Sequence, residues 1–204
     1  MTGKTRVLLD RPTRRAAILR AAAAAFAERG FAATSMDDVA AAAGITRLIV
    51  YRHFESKDAL YAAVLPDVRD RLAQEGSAFS GGGESGAVRA LLAVGRGDAA
   101  GVTLLLRHAS REPQFASYAD EFREQVITYA DRLMRIAHAP ARVRSRWAAE
   151  TLVSFVFDAL LHWLEDGDPE RDDEFLARVD ASLPALVAAW AAVSSQAHIR
   201  RPGP

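Results

Sequence analysis

Apolar positions along this chain recur every three to four residues and do not alternate over any stretch long enough for a strand, which predicts an all-α protein of about nine helices. The first helix runs from Thr13, a suitable N-cap, to about Arg29, with Ile18, Ala22, Ala25 and Phe26 on one face. Gly30 is placed to close it in a left-handed conformation, with Phe31 packing back. Thr34 or Ser35 caps a second helix, "MDDVAAAA", because an aspartate follows each three residues on (Asp37, Asp38) where a capping box places its acid. That helix ends at Gly44. A short third helix covers about 46–53, and a fourth runs from Ser56 to about Glu75. The Gly/Ser-rich stretch "GSAFSGGGESG" (76–86) predicts a mobile loop. Beyond it, helices are predicted at about 86–95, 98–110, 113–138, 141–165 and 173–196, with Pro184 expected to kink the last.

Two helices joined by a tight glycine-containing turn make a helix-turn-helix, whose second helix offers its N-terminus and one face to a DNA major groove. At about 100° per residue, Val50 and Phe54 lie about 40° apart and form a buried stripe with Val39 and Ile45. Leu48 and Arg52 then point about 160° away from Val50. The outward face is Thr46, Arg47, Leu48 and Arg52, with Tyr51 on its flank. Arg47 suits a guanine edge or a phosphate, and Leu48 has only a thymine methyl to gain in a groove. Thr46 and Tyr51 suit phosphates, as do Thr34, Ser35 and Lys57 at helix starts. Lys4, Arg6, Arg11, Arg14 and Arg15 can follow the backbone or enter a minor groove. The plainer readings are solvated charges for Arg47 and Arg52, a capping histidine at His53, and local core for Leu48 and Ile49.

Charge sharpens this picture. The net charge is zero, but residues 1–58 carry ten Lys/Arg against six Asp/Glu, while the remaining 146 carry 16 against 20. A basic N-terminal module on an acidic body suits a polyanionic partner. With no cysteine, disulfides, thiolate metal sites and cysteine nucleophiles are excluded. No Ser/His/Asp order, phosphate loop or pair of carboxylates in an apolar setting supports catalysis, so no catalytic residue is assigned and the chain is read as a non-enzyme. His108, His138 and His162 lack metal-ligand spacing, and neither metal nor cofactor is expected. The longest apolar run, "ALVAAWAAV" (185–193), is shorter than the roughly 20 residues that span a bilayer, and the N-terminus has no signal core. A cytoplasmic protein without membrane attachment is expected.

The segment 18–65 resembles the DNA-binding region of the TetR family of bacterial transcriptional regulators. The matching runs are "FAERGFAATS", "DVAAAAGITR", "YRHF" at the end of the recognition helix, and "SKDAL". The resemblance implies a three-helix helix-turn-helix domain followed by a divergent helical domain that binds a small effector and forms a homodimer. The expected division is a basic arm at 1–12, a DNA-binding domain at 13–58, a ligand-binding and dimerisation domain at 59–197 and a flexible tail at 198–204. Carried over by position, the family's DNA contacts fall on Thr34, Ser35, Thr46, Arg47, Leu48, Tyr51, His53 and Lys57. Leu48 and Ile49 depart from the small residues usual there. Either they read thymine methyls, or the helix docks differently, or they pack on something other than DNA.

In the second half, helix 146–168 is apolar on nearly every face and must be covered all round. The last helix carries a near-heptad stripe. The resemblance makes these two helices the expected dimer interface, with Trp163, Leu176, Val179, Leu183, Leu186 and Trp190. For a pocket, the aromatics and lone polar groups on the central helices are the candidates: His108, Tyr118, Phe122 and Tyr129, then Trp147, Phe155, Asp158 and His162. The expected function is that of a homodimeric repressor, released by a small molecule from an inverted-repeat operator in double-stranded DNA. The competing reading is a helical ligand-binding or adaptor protein whose DNA binding has degenerated.

Overall fold

The computed structural model describes residues 10–78 and 84–199, and among them every regular element is helical. The expected arm with Lys4 and Arg6, the centre of the Gly/Ser loop and the last five residues of the tail lie outside the described residues. The helices are α1 (Arg11–Ala33), α2 (Met36–Ala42), α3 (Arg47–Tyr51), α4 (Lys57–Ala78), α5 (Glu84–Gly97), α6 (Ala99–Thr103), α7 (Ala116–Ile136), α8 (Arg146–Asp166) and α9 (Asp172–Ile199). The N-cap of α1 is Asp10 rather than Thr13, because the Asp10 carboxylate accepts the Thr13 N–H at 2.9 Å. Gly30 has φ +78° and breaks the helical torsions of α1 where its end was expected, and one further helical turn follows it. The predicted helix 98–110 is α6 followed by a π-helical turn (Leu104–His108) and a 3-10 turn (Ala109–Arg111). Pro184 lies within α9, whose helical assignment is unbroken through it.

One continuous cluster of buried side chains runs from Ile18 in α1 to Val179 in α9. Ile18, Leu19, Ala22 and Phe26 of α1 pack with Val39 of α2, Val50 of α3, Phe54 just after it, and Leu60, Tyr61 and Val64 of α4. α4 packs on α1 and also on α5 and α6, so it joins the N-terminal three-helix unit to the rest. α7 packs on α8, and α9 lies against α5 and α8.

Arg71 and Asp98 fix α4 against α6. Asp98 is the N-cap of α6, its Oδ1 accepting the Gly101 N–H at 2.8 Å. Its Oδ2 accepts from Arg71 Nη2 at 2.6 Å, with only 5% of the Asp98 side chain exposed. A side chain at Gly101 would set its Cβ 2.5 Å from that oxygen and 2.9 Å from Val68, so the close approach of α4 and α6 requires glycine. Asp98→Ala removes a cap and a buried charge-assisted hydrogen bond together and is expected to cost about 3 kcal/mol. Urea denaturation followed by circular dichroism checks this, and a loss below about 0.5 kcal/mol would refute the assignment.

α9 shows what composition conceals. Pro169–Val193 is 25 residues long with a hydropathy of 1.4 in its most apolar window, long and apolar enough by those measures to cross a membrane, and only 11% of that window is buried. The expectation from the nine-residue run underestimated it, because Leu176, Val179 and Leu183 extend the apolar character upstream between isolated charges.

Candidate DNA interface and ligand cavity

The turn between α2 and α3 is made by Gly44 at φ +64°, and Ile45 N–H returns to Ala40 C=O at 3.0 Å. Of the two possible caps for α2, Ser35 is the one used. Its Oγ accepts from Asp38 N–H at 3.2 Å, while the Asp38 carboxylate accepts from Ser35 N–H at 2.8 Å. The Ser35 hydroxyl also donates to Asp38 Oδ2 at 2.6 Å; this bond first, then the one from Ser35 N–H, holds the Asp38 carboxyl below its usual range, with Arg29 at 2.8 Å adding to the effect. Thr34 is 2% exposed and turned inward, its Oγ1 lying 2.7 Å from Gly30 C=O and 3.1 Å from Ala25 C=O, to which it donates. The expectation of a phosphate contact from the Thr34 side chain is therefore corrected: the hydroxyl closes α1.

Thr46 is the N-cap of α3 and its side chain makes no capping hydrogen bond. Val50 and Phe54 are buried beneath the helix, and Ile45 is half-buried against them. Opposite them, Leu48 is 62% exposed and Tyr51 40% exposed, large apolar surface left in water at the tip of the module. Arg47 donates to Asp37 Oδ2 at 2.7 Å and to Tyr51 Oη at 3.3 Å, and its guanidinium lies 5.2 Å from the Tyr51 ring centre. Ile49 is half-buried, and Arg52 is the exposed C-cap of α3.

His53 is half-buried. Burial, then the charges of Arg11, Arg14 and Arg15, lowers its pKa from the ordinary histidine value. Arg15 lies 5.0 Å above the Phe54 ring, which brings the first turn of α1 to the end of the recognition helix. Lys57 is already engaged: its ammonium donates to Phe31 C=O at 2.7 Å and to Ala32 C=O at 3.3 Å, 4.4 Å above the Phe31 ring. It pins the first turn of α4 to the end of α1, a role the sequence reading missed. The Asp37–Arg47 pair was also missed, since no local rule links residues ten apart across a turn.

A cavity of about 480 Å³ opens among α5, α7, α8 and α9. Leu91, Leu133, Met134, Val153, Phe157 and Val187 make much of its wall. Of the eight residues proposed for a pocket, only Tyr129 lines it. Trp147 is 62% exposed on the outside, with its ring 5.0 Å from Trp190. Asp158 and His162 are exposed, and His162 Nδ1 meets Asp158 C=O at 2.7 Å. Tyr118 lies under Arg69, with the guanidinium 5.3 Å from the ring centre, and Phe155 packs against the core. Phe122 lines a separate 50 Å³ void, and His108 sits half-buried at the end of the π-helical turn. Those candidates were chosen as aromatics and lone polar groups, whereas this wall is mostly alanine, valine and leucine, with Met134, Phe157, Tyr129 and His138 among them. The cavity also has a backbone marker: His138, in its wall, has φ +55° where α7 ends, and Ala139 N–H closes on Met134 C=O at 2.9 Å.

The six expected interface residues divide. Leu176 and Val179 are 3% exposed within the subunit's own core, so neither is free to meet a partner. Trp163 stacks on Phe175 at 5.1 Å and donates from Nε1 to Asp172 at 2.7 Å. Leu183 lines the cavity, while Leu186 and Trp190 are half-buried against the core. The apolar surface left exposed here is Trp147, Val193 and the alanines 185, 188 and 189.

The sequence profile of the bacterial regulatory proteins of the tetR family matches residues 18–64. The transcriptional activator FasR of Mycolicibacterium smegmatis is 30% identical over 172 residues, 81% of this chain and 78% of that protein. The transcriptional repressor Rv3405c of Mycobacterium tuberculosis is 51% identical over 57 residues, 28% of this chain and 30% of its own length. Among solved structures, a TetR-like transcriptional regulator from Rhodococcus sp. RHA1 superposes with a TM-score of 0.70 at 23% identity, covering 92% of this chain and 99% of that one. The buried stripe and glycine turn that aim α3 outward thus belong to a matched DNA-binding module, and the chain is a member of the TetR family of bacterial transcriptional regulators.

Proposed function

We propose that the protein is a homodimeric repressor that binds an inverted-repeat operator through α3 of each subunit and leaves it when a small molecule enters the α5–α9 cavity. The observation that carries the DNA half is the outward face of α3, where exposed Leu48 stands beside the contacting pair Arg47 and Tyr51 while Val50 is buried. Arg47 reads a base edge or holds a phosphate, Leu48 meets a thymine methyl, and Thr46, Ser35 and Tyr51 fix the register on phosphates. Arg52 and His53 extend this face toward the first turn of α1. Lys57 contributes by holding α4 in place rather than as a free phosphate ligand.

A dimer sets two recognition helices about 34–36 Å apart, one turn of DNA. The sparse burial of α9 and the exposed Trp147 and Val193 favour a cover for α8 and α9 from a second copy. An effector shifts the helix spacing only through its different affinity for the two conformers. α4 is the lever, because it joins the α1 carbonyls at one end to Arg71–Asp98 further along. An activator reading has one observation behind it, the 30% identity to FasR over most of the chain.

Selection from random double-stranded DNA by the purified protein, with sequencing of the bound fragments, is expected to return an inverted repeat. Failure to enrich any sequence sinks the proposal. Arg47→Ala is expected to weaken operator binding about 10- to 100-fold, and Leu48→Ala to relax the preference for thymine beneath it, both with the dimer intact by size-exclusion chromatography.

The lowered pKa of His53 leaves it neutral in the free protein near pH 7. Phosphates placed beside it offset Arg11, Arg14 and Arg15 and raise its pKa in the complex, so binding takes up a proton. Operator affinity is therefore expected to rise as pH falls from 7.5 to 6, by at most about tenfold per pH unit for one proton. His53→Gln should flatten that slope in fluorescence anisotropy titrations. An unchanged slope would remove His53 from the interface.

A further inference from the structure

The α5–α9 cavity says something about its occupant. Among the described residues, every one in its wall apart from Tyr129 and His138 is aliphatic, a methionine, a phenylalanine or a proline, and none carries a charged side chain. An ion or an unpaired polar group buried against such a wall forfeits its hydration without replacement. The shape is long: α7 contributes from Val126 to Ala137 and α9 from Leu183 to Ala191, roughly 16 Å and 12 Å of helix at 1.5 Å per residue. Its volume of about 480 Å³ falls in the range of small-molecule sites rather than packing defects.

We infer that this cavity takes the elongated, uncharged hydrocarbon body of a small molecule, an acyl chain or a fused-ring plate, with Tyr129 and His138 as its side-chain hydrogen-bonding partners among the described residues. The inference rests on the reading of the cavity as the effector site and names the chemistry of what enters it. A charged head has to remain outside the wall. Recognition then comes from apolar area, and affinity grows with hydrocarbon length until the cavity is full.

The test is isothermal titration of the full-length protein with octanol, decanol, dodecanol and tetradecanol, with testosterone as the fused-ring probe and dodecanedioate as the control that would bury a carboxylate. Kd is expected to fall about fourfold per added methylene and then level off, and dodecanedioate is expected not to bind. Tighter binding of the alcohols or of testosterone assigns the chain or the plate. Ala188→Trp and Ala137→Trp place bulk at exposed positions of the wall, where folding tolerates it, and each is expected to abolish alcohol binding with the circular dichroism spectrum and the size-exclusion elution volume unchanged.

Affinity independent of chain length, dodecanedioate binding as tightly as dodecanol, or unaltered binding in both tryptophan variants overturns the inference. So does alcohol binding that emerges only when dilution separates subunits, since a second copy then fills the space. Length-dependent alcohol binding without any change in operator affinity keeps the inference and defeats release by effector. Operator release by a charged molecule, with no alcohol bound, does the reverse.

Discussion

Four rings and one ammonium seat α4, and the orientation of the DNA-facing module depends on them. Tyr61 of α4 meets Phe26 edge-on at 4.9 Å and Phe31 at 5.3 Å, and it stacks on Phe115, from the turn before α7, at 4.3 Å. Lys57, one turn earlier, caps the α1 carbonyls over the Phe31 ring. The Tyr61 hydroxyl is buried and has no hydrogen-bond partner among the described residues, and burial, with the Glu112 charge, pushes its pKa up and keeps it neutral. Ring contacts of this kind are short-ranged and directional. A shift of the turn before α7 is therefore felt at α4 and α1, the elements that aim α3.

The outward surface of α3 is arranged so that its internal contacts are easily exchanged. Arg47 and Asp37 have side chains 57% and 60% exposed, and an ion pair in that setting is worth about 0–1 kcal/mol. A guanine edge or a phosphate can replace Asp37 at little cost, while Asp37 keeps the arginine extended over Tyr51 in the free protein. Thr34 and Lys57 belong to the opposite class. Their polar groups are bound to main-chain carbonyls at the end of α1, Thr34 buried and Lys57 half-buried, so they hold neighbouring helices together.

Helix α9 presents one composition in three environments. Leu176 and Val179 complete the subunit core, Leu183 and Val187 line the cavity, and Val193 stands in solvent. A core position and a cavity position are equally apolar and differ only in whether a neighbouring helix reaches them. Small side chains on α5, α7 and α9, among them Ala87, Ala130 and Ala188, leave the space that larger residues elsewhere fill.

Local rules acting over a few residues determined the helical class, the positions of most helices and the aim of α3. Periodicity buried Val50 and exposed Leu48, Gly30 and Gly44 marked the breaks, and the Ser/Asp spacing marked the cap of α2. The resemblance of residues 18–65 added the family. The choice of Ser35 over Thr34, the engagement of Lys57 and of Asp37, and the burial of Leu176 and Val179 were decided only by tertiary structure. So was the cavity, which took Tyr129 and left His108, Tyr118, Phe122, Trp147, Phe155, Asp158 and His162 elsewhere. The physical reason is that what a side chain meets depends on how helices cross: amphipathic spacing specifies which face turns inward without specifying its neighbours, and for Thr34 and Ser35 two equally spaced local caps were open until burial turned Thr34 inward.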